Sequence, residues 1–328
     1  MRSGGIGLRT RDEDHTVTDL PFIDPHVHLW HLGNIRYPWL SPPFNDDGPN
    51  GSVESIAHNY LLDDYLAESV AWHPAAIVHV EAGAHAEDSL RETAWLQRIA
   101  DQHQIPMGIV AFAALNDPDL ERKLDLHAQH SNLRGIRHIV NWHPDAKRTY
   151  TPRDVTGDKD WQRGFAVLAK YGLSFDLQAY PGQFARLAAL GARHDDVAVI
   201  INHTGMPVDT DNEGLAVWRS GMKALAALPR AALKISGLGF VHRAWKIEPI
   251  RPIILEAIEI FGVSRCMFAS DFPTDRLFGD FNRHLEAYHE IVADFTPDER
   301  KELFACNAAR IYRLKGSSGP THRIHQAS

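Results

Sequence analysis

Four side chains that follow apolar segments could together bind a metal ion or activate a water molecule. His26 and His28 lie two residues apart at the end of the first apolar run, and His203 and Asp271 each follow a later one. Residues two apart on a strand point to the same side, so both imidazoles of the pair can face one ion. Three imidazoles and one carboxylate predict a binding site for a single divalent ion, with Zn²⁺ as the preferred metal and with room for a water molecule. Asp271 could bind the ion, take a proton from the water, or do both in turn.

The spacing of the histidine pair is weak support when taken alone. With 20 histidines in 328 residues, chance gives about one His-x-His pair in a chain of this composition. The prediction depends on placement, because His203 and Asp271 also stand at the ends of predicted strands.

Four further residues at strand ends are predicted to bind substrate, and each has an alternative structural role. Arg137 could bind a substrate carboxylate bidentately or form an internal salt bridge. Glu81 could orient a histidine, contact substrate, or serve as an acid in the first turn of a helix. Gln178 and Tyr180 could hold hydroxyl or carboxyl groups, although Tyr180 is followed by Pro-Gly and could instead begin a turn.

The elements that must position these residues alternate between strands and helices. Eight short apolar runs, most of them rich in β-branched residues, end near polar or turn residues, with helical patterns in most of the gaps. They are 22–24, 76–80, 108–112, 135–140, 173–178, 197–202, 232–236 and 266–270. The predicted helices include 89–102, 161–171, 184–190, 214–228, 252–261 and one that opens at Pro297. This order predicts an α/β fold, a (β/α)₈ barrel with functional residues at the carboxyl ends of the strands. A doubly wound sheet is the alternative.

The chain is expected to form one domain over residues 20–315, between flexible tails at 1–19 and 316–328. A long insertion after the first strand, 30–62, is too long for a simple connection and is expected to form part of the site. The last helix, 307–314, carries an apolar stripe and is expected to close the outside of the barrel.

Composition excludes several classes of protein. The chain has 34 Lys+Arg and 42 Asp+Glu, a net charge of −8, without a basic run, so a nucleic-acid partner is not expected. No apolar stretch approaches the length of a membrane span, and the first 20 residues lack the apolar segment of a signal peptide. A cytoplasmic protein acting on a small molecule is expected, and self-association into a homo-oligomer stays open.

Four strings at the predicted strand ends carry a family resemblance. They are Phe22-Ile23-Asp24-Pro25-His26-Val27-His28-Leu29-Trp30, Ile201-Asn202-His203-Thr204-Gly205-Met206-Pro207, Lys234-Ile235-Ser236-Gly237 and Ser270-Asp271-Phe272-Pro273. Together they resemble the amidohydrolase superfamily, in its amidohydrolase-2 branch. Within that branch the chain is most similar to sugar-lactone and 2-pyrone-4,6-dicarboxylate lactonases.

The resemblance implies a hydrolase that opens a lactone of a sugar acid or of an aromatic-degradation intermediate. His26, His28, His203 and Asp271 match the family's site positions, and Asp271 would be the base that activates water. Members differ in metal use, since some resemble zinc hydrolases and the pyrone-dicarboxylate type works without a required metal. The alternatives are a zinc-dependent decarboxylase of the same branch and a barrel that binds a ligand without turnover.

The chain departs from the binuclear members of the superfamily. Their bridging lysine or glutamate on the fourth strand is absent, because Gly135-Ile136-Arg137-His138 stands there. Their histidine on the fifth strand is also absent, since that strand ends in Gln178 and Tyr180. A two-metal centre is therefore not expected.

Overall fold

The structure is a computed structural model that describes residues 20–44 and 46–314. The two predicted tails, 1–19 and 316–328, lie outside the described residues. Eight parallel strands pair in sequence order, which confirms the predicted (β/α)₈ barrel. They are β1 (Ile23–Val27), β2 (Ala76–Val80), β3 (Met107–Phe112), β4 (Leu133–Arg137), β5 (Ser174–Leu177), β6 (Val199–Ile201), β7 (Ala231–Ile235) and β8 (Cys266–Phe268). Val27 and Phe272 form a parallel bridge that brings β1 to the segment after β8.

Helices connect the strands. They are α1 (Leu62–Glu68), α2 (Ser89–Gln102), α3 (Leu120–His127), α4 (Lys159–Val167), α5 (Phe184–Gly191), α6 (Asn212–Ala226), α7 (Leu238–Val241), α8 (Ile247–Phe261), α9 (Phe281–Ile291), α10 (Pro297–Lys301) and α11 (Asn307–Ile311). A π-helical segment, Glu302–Cys306, joins the last two. No helix within 20–44 and 46–314 has the length and apolar character needed to span a bilayer.

The predicted start of α8 at Pro252 is wrong by five residues. Proline is favoured at the first helical position, but α8 begins at Ile247 and carries Pro252 inside it. Ile250 is buried in the core, so packing of the first turn outweighs the positional preference of the proline.

The barrel encloses a second apolar cluster, separate from the core beneath the helices. Inward-facing side chains such as Val78 and Val110 pack there with Tyr312 and Leu314 of the carboxyl-terminal segment. The expectation that this segment closes the outside of the barrel is therefore wrong. Its apolar stripe seals the end of the barrel interior, where the eight converging strands leave a gap that side chains must fill.

The insertion between β1 and α1 is fastened to the rim at the carboxyl ends of the strands. Trp30 and Tyr60 exchange backbone hydrogen bonds of 2.9 and 3.0 Å at its base. Trp39 Nε1 donates to Ala82 O at 2.8 Å, beyond the end of β2. Tyr37 donates its hydroxyl to Glu92 Oε1 on α2 at 3.0 Å.

Glu92 should make the protein less stable as the pH rises. Burial raises the pKa of its carboxyl to about 8, from the value of 4.5 usual for glutamate, and Glu81 adds to the rise. Between these two values the folded state holds a proton that the unfolded state releases, so the free energy of unfolding falls as the pH rises. Glu92→Gln should remove this contribution to the pH dependence. Relative to the wild type, the free energy of unfolding of the variant should rise by on the order of 3 kcal/mol between pH 5 and pH 8.

Chemical denaturation at pH 5 and pH 8 measures this effect. Glu286→Gln, on the exposed face of α9, is the matched control and should keep the pH dependence of the wild type. A Glu92→Gln variant with that same dependence would show that the buried carboxyl is ionised throughout the range.

Candidate active site

The predicted residues of β1 and β8 meet where the barrel closes. Asp271 N donates to His26 O at 2.9 Å, and His28 N donates to Phe272 O at 2.8 Å. These two backbone bonds hold the end of β1 beside the segment after β8, at the carboxyl ends of both strands. This seam between β1 and the segment after β8 brings together His26 and Asp271, which are both buried and lie 245 positions apart in the sequence.

The Asp271 carboxylate lies among the three predicted histidines. Its Oδ1 is 3.3 Å from His26 Nε2 and 3.1 Å from His28 Nε2, and its Oδ2 is 3.7 Å from His203 Nδ1. Burial raises the pKa of Asp271, although nearby His203 and Arg137 oppose the rise. Burial also lowers the pKa of His26 and His28 well below the usual range. Both imidazoles are therefore neutral near pH 7.

The hydrogen bonding of His28 decides what its second nitrogen can do. Nδ1 is 2.8 Å from Val80 O. A carbonyl oxygen only accepts, so Nδ1 carries the ring proton and Nε2 presents a lone pair to Asp271 Oδ1. An ionised carboxylate is also an acceptor, and two acceptors 3.1 Å apart repel each other unless a proton or a cation lies between them.

His203 follows β6 on a strained stretch of backbone. Residues 203–206 all have positive φ values, between 44° and 69°. This left-handed region of backbone conformation costs energy for residues other than glycine. Thr204 Oγ1 donates to Ser236 O at 3.2 Å, which fastens the stretch to the end of β7. Ser236 Oγ lies 3.1 Å from His203 Nδ1, and burial lowers the pKa of His203 to about 4. The strained backbone directs the neutral imidazole of His203 towards the pocket.

Arg137 forms the internal salt bridge that the sequence offered as one alternative, and it also lines the pocket. Its Nε donates to Glu81 Oε1 at 2.6 Å, and its Nη2 donates to Glu81 O at 2.5 Å. Nη1 donates to Gln178 Oε1 at 2.8 Å and lies 3.4 Å from His26 Nε2. The second oxygen of Glu81 accepts from Gly83 N at 2.8 Å. Glu81 therefore orients the arginine from behind the pocket wall.

Glu81 does not line the pocket, and neither does Tyr180, the other predicted substrate-binding residue that the structure leaves outside it. Its hydroxyl donates to Arg148 O at 2.5 Å, and its ring borders two neighbouring hollows. The prediction used strand alternation to place Tyr180 with Gln178, but β5 ends at Leu177. Beyond that point alternation no longer sets the direction of a side chain.

The floor of a pocket of about 250 Å³ is formed by Asp271, His28, His203, Arg137 and Gln178. His26 contacts Asp271 but is fully buried and does not line the pocket itself. The walls of the pocket also include residues that the sequence did not single out as site residues: Asn50, Ile139, Tyr150, Phe240 and Thr274. Trp39 and Asn50 both come from the insertion at 30–62, which was expected to form part of the site. Tyr150 donates its hydroxyl to Asn50 Oδ1 at 2.5 Å. The sequence indicates these wall residues only by their position in segments that follow strands.

Three of the four predicted ligands fit a single metal ion. Donor atoms of His26, His28 and Asp271 all lie within 4.8 Å of one another. The lone pair of His28 Nε2 facing Asp271 Oδ1 is an arrangement that a cation between them would stabilise. Asp271 Oδ2 has no hydrogen-bond partner within the described part of the chain. His203 is not in this group of donor atoms, and its Nδ1 lies 3.1 Å from Ser236 Oγ.

Several known proteins are similar to this chain over most of its length. An uncharacterized protein of Sinorhizobium fredii (strain NBRC 101917 / NGR234), y4mH, is 42% identical over 301 residues, covering 91% of this chain and 100% of that protein. The L-fucono-1,5-lactonase of Burkholderia multivorans (strain ATCC 17616 / 249) is 28% identical over 309 residues, covering 89% and 96%. A crystal structure of an amidohydrolase from Burkholderia multivorans with bound zinc is 27% identical, covers 90% of this chain and 99% of its own, and superposes with a TM-score of 0.74.

The family assignment rests on nearly the whole barrel. Residues 23–314 match the model of a family described as amidohydrolase. The match includes both sides of the seam where His26, His28 and Asp271 meet, and the resemblance found in the sequence is thereby confirmed. The chain belongs to the amidohydrolase family, in its amidohydrolase-2 branch, and it is a hydrolase.

Proposed function

We propose that this hydrolase is a lactonase that opens the cyclic ester of a sugar acid. The observation that carries the proposal is the convergence of His26, His28 and His203 on Asp271, which lies on the floor of a pocket that Arg137 also lines. A pocket of about 250 Å³ is small compared with the range of about 300–1,000 Å³ typical of drug-sized ligands, so it suits a single sugar ring. The similarity to an L-fucono-1,5-lactonase over 96% of that protein supports the same class of substrate.

In this proposal each polar group of the floor has a separate task. Asp271 takes a proton from the attacking water and later returns it to the alkoxide that leaves as the ring opens. Arg137 and His203 line the pocket beside it and can donate hydrogen bonds to the carbonyl oxygen as negative charge develops there. Gln178 already accepts from Arg137, and its amide nitrogen, which contacts no partner among the described residues, can donate to a hydroxyl group of the substrate.

A divalent ion, zinc by the preference of imidazole and carboxylate ligands, would be held by His26, His28 and Asp271. When bound it would supply a Lewis acid to the carbonyl and lower the pKa of water towards about 7. The residues around it keep their tasks, because Arg137 and His203 reach the pocket independently of those three ligands.

Acid release from a panel of lactones tests the proposal. Aldono-1,4- and 1,5-lactones of hexoses and 6-deoxyhexoses would be followed with a pH indicator, each against its spontaneous hydrolysis. A 2-pyrone dicarboxylate and a dihydroxybenzoate, monitored for acid and for CO₂, would serve as comparison substrates. Hydrolysis of a sugar lactone supports the proposal, CO₂ release without lactone hydrolysis replaces it with a decarboxylase, and binding without turnover replaces it with a ligand-binding barrel.

We expect protein purified without added metal to contain about one divalent ion per chain. Elemental mass spectrometry of the wild type, His28→Ala and Asp271→Ala measures this, and both variants should lose most of the ion. His103→Ala changes an exposed histidine at the end of α2 and should retain it. Metal-free wild type that still hydrolyses lactones after chelation would contradict this expectation. A proton, and not a cation, would then lie between His28 Nε2 and Asp271 Oδ1.

A further inference from the structure

Two opposite charges are enclosed inside the barrel beneath the pocket. Lys234 on β7 and Asp176 on β5 are both fully buried, and Lys234 Nζ is 2.6 Å from Asp176 Oδ2. Removing two charges from water costs several kcal/mol per ion, and replacing such a pair with apolar residues is often neutral or stabilising. Stability alone therefore does not account for an ion pair at this depth.

The pair connects the end of the barrel interior with the candidate active site. On one side, Tyr312 donates its hydroxyl to Asp176 Oδ2 at 2.7 Å, and Lys234 Nζ lies 5.0 Å from the centre of the Tyr312 ring. On the other side, Lys234 Nζ lies 3.5 Å from His26 Nδ1. Contacts thus run from the carboxyl-terminal segment through Asp176 and Lys234 to His26, which in turn contacts Asp271 on the pocket floor.

His26 needs such a contact, because an imidazole can rotate about the bond that carries it. Its Nε2 lies 3.3 Å from Asp271 Oδ1 and 3.4 Å from Arg137 Nη1. Lys234 Nζ is the polar side-chain atom that stands within hydrogen-bond distance of its other ring nitrogen, among the residues the structure describes. An amine there favours the ring orientation in which Nε2 faces Asp271.

We propose that Lys234 is a positioning residue for His26, held in place by Asp176 and, through it, by Tyr312 of the carboxyl-terminal segment. The proposal rests on the proposed lactonase function for its kinetic consequence, but its structural consequence at His26 is independent of any substrate. The carboxyl-terminal segment thereby contributes to the site from the opposite end of the barrel.

The test separates positioning from simple stabilisation by removing both charges together. Lys234→Met alone leaves Asp176 as an unpaired buried carboxylate and is expected to destabilise the fold. Lys234→Met/Asp176→Asn restores neutrality at similar volume and should fold. Lys170→Met/Glu121→Gln breaks a 2.7 Å pair of exposed side chains and serves as the matched control.

Two readouts are needed, kinetics on the accepted lactone and the ring ¹⁵N signals of His26 in histidine-labelled protein, assigned with His26→Gln. The folded double variant should show a kcat about 10- to 30-fold lower, a KM within about twofold, and shifted His26 signals. The control pair should match the wild type in both. A double variant with the kcat or the His26 signals of the wild type would overturn the proposal.

If the double variant does not fold, Tyr312→Phe decides the question. It keeps both charges and removes only the hydroxyl that holds Asp176, so a fall in kcat of about threefold with shifted His26 signals supports the proposal. Unchanged His26 signals in folded Tyr312→Phe overturn it. Failure of the wild type to hydrolyse any lactone would count against the proposed function, while the His26 signals would still report on Lys234.

Discussion

Asp271→Asn is expected to lower kcat on any accepted lactone by more than about a hundredfold while the protein stays folded. The amide has the size of the carboxylate but cannot take a proton from water. It also suits the backbone, because Asp271 has a φ of 59° and asparagine tolerates this left-handed region better than most residues. The loss should therefore fall on the chemical step. Steady-state kinetics together with a thermal unfolding curve measure it.

Asp195→Asn supplies the matched control for this variant. Asp195 is exposed in the turn between α5 and β6, far from the pocket lining, so the same chemical change should leave kcat as in the wild type. An Asp271→Asn enzyme that keeps more than about a tenth of the wild-type kcat would exclude Asp271 as the base and shift that role to a histidine of the floor.

The barrel and the centre of the site could be predicted because both depend on local pattern and one topological rule. Eight strands were placed from short apolar runs, and parallel strands expose their carboxyl ends at one rim. That rule brings the end of β1 to the end of β8 once the barrel closes. His26, His28 and Asp271 could therefore be grouped from the sequence without knowing any distance.

The rest could not be predicted, because it depends on where strands end and where loops cross. Strand alternation predicts that Tyr180 lies with Gln178, but β5 ends at Leu177 and alternation does not set side-chain directions beyond that residue. Asn50 and Tyr150 reach the pocket from two loops, and their contact joins residues 100 positions apart. No local pattern encodes such a crossing.

One interior feature, the ion pair of Asp176 and Lys234, has a signal in the sequence. Asp176 and Lys234 each stand in an otherwise mostly apolar strand, two residues before a polar residue at the rim. Strand alternation points both into the barrel, where a charge requires a partner of opposite sign. Two inward charges of opposite sign on β5 and β7 could have been paired on that ground, whereas the contact with His26 required the structure.

Gly237→Ala is expected to lower kcat by about 30- to 100-fold through His203. Gly237 follows β7 with a φ of 65°, and a Cβ added there would lie 2.7 Å from His203 Nδ1 and 2.8 Å from its Cβ and Cγ. The ring has little room to yield, because Ser236 Oγ holds Nδ1 at 3.1 Å and the His26 ring centre is 4.7 Å away. The added methyl group should therefore displace the imidazole that faces the carbonyl, by a distance that catalysis does not tolerate.

Gly172→Ala isolates that displacement from the cost of the backbone. Gly172 has φ 63° and ψ 27°, close to the 65° and 19° of Gly237, but a Cβ there would meet no atom within 4 Å. Gly172→Ala should lose about 1–2 kcal/mol of stability, the penalty of a left-handed alanine, and Gly237→Ala should lose at least as much, because its Cβ also overlaps the His203 ring. Denaturant unfolding measures both losses. Only Gly237→Ala should lose kcat, and equal kcat values in the two variants would mean that His203 can move without consequence for the reaction.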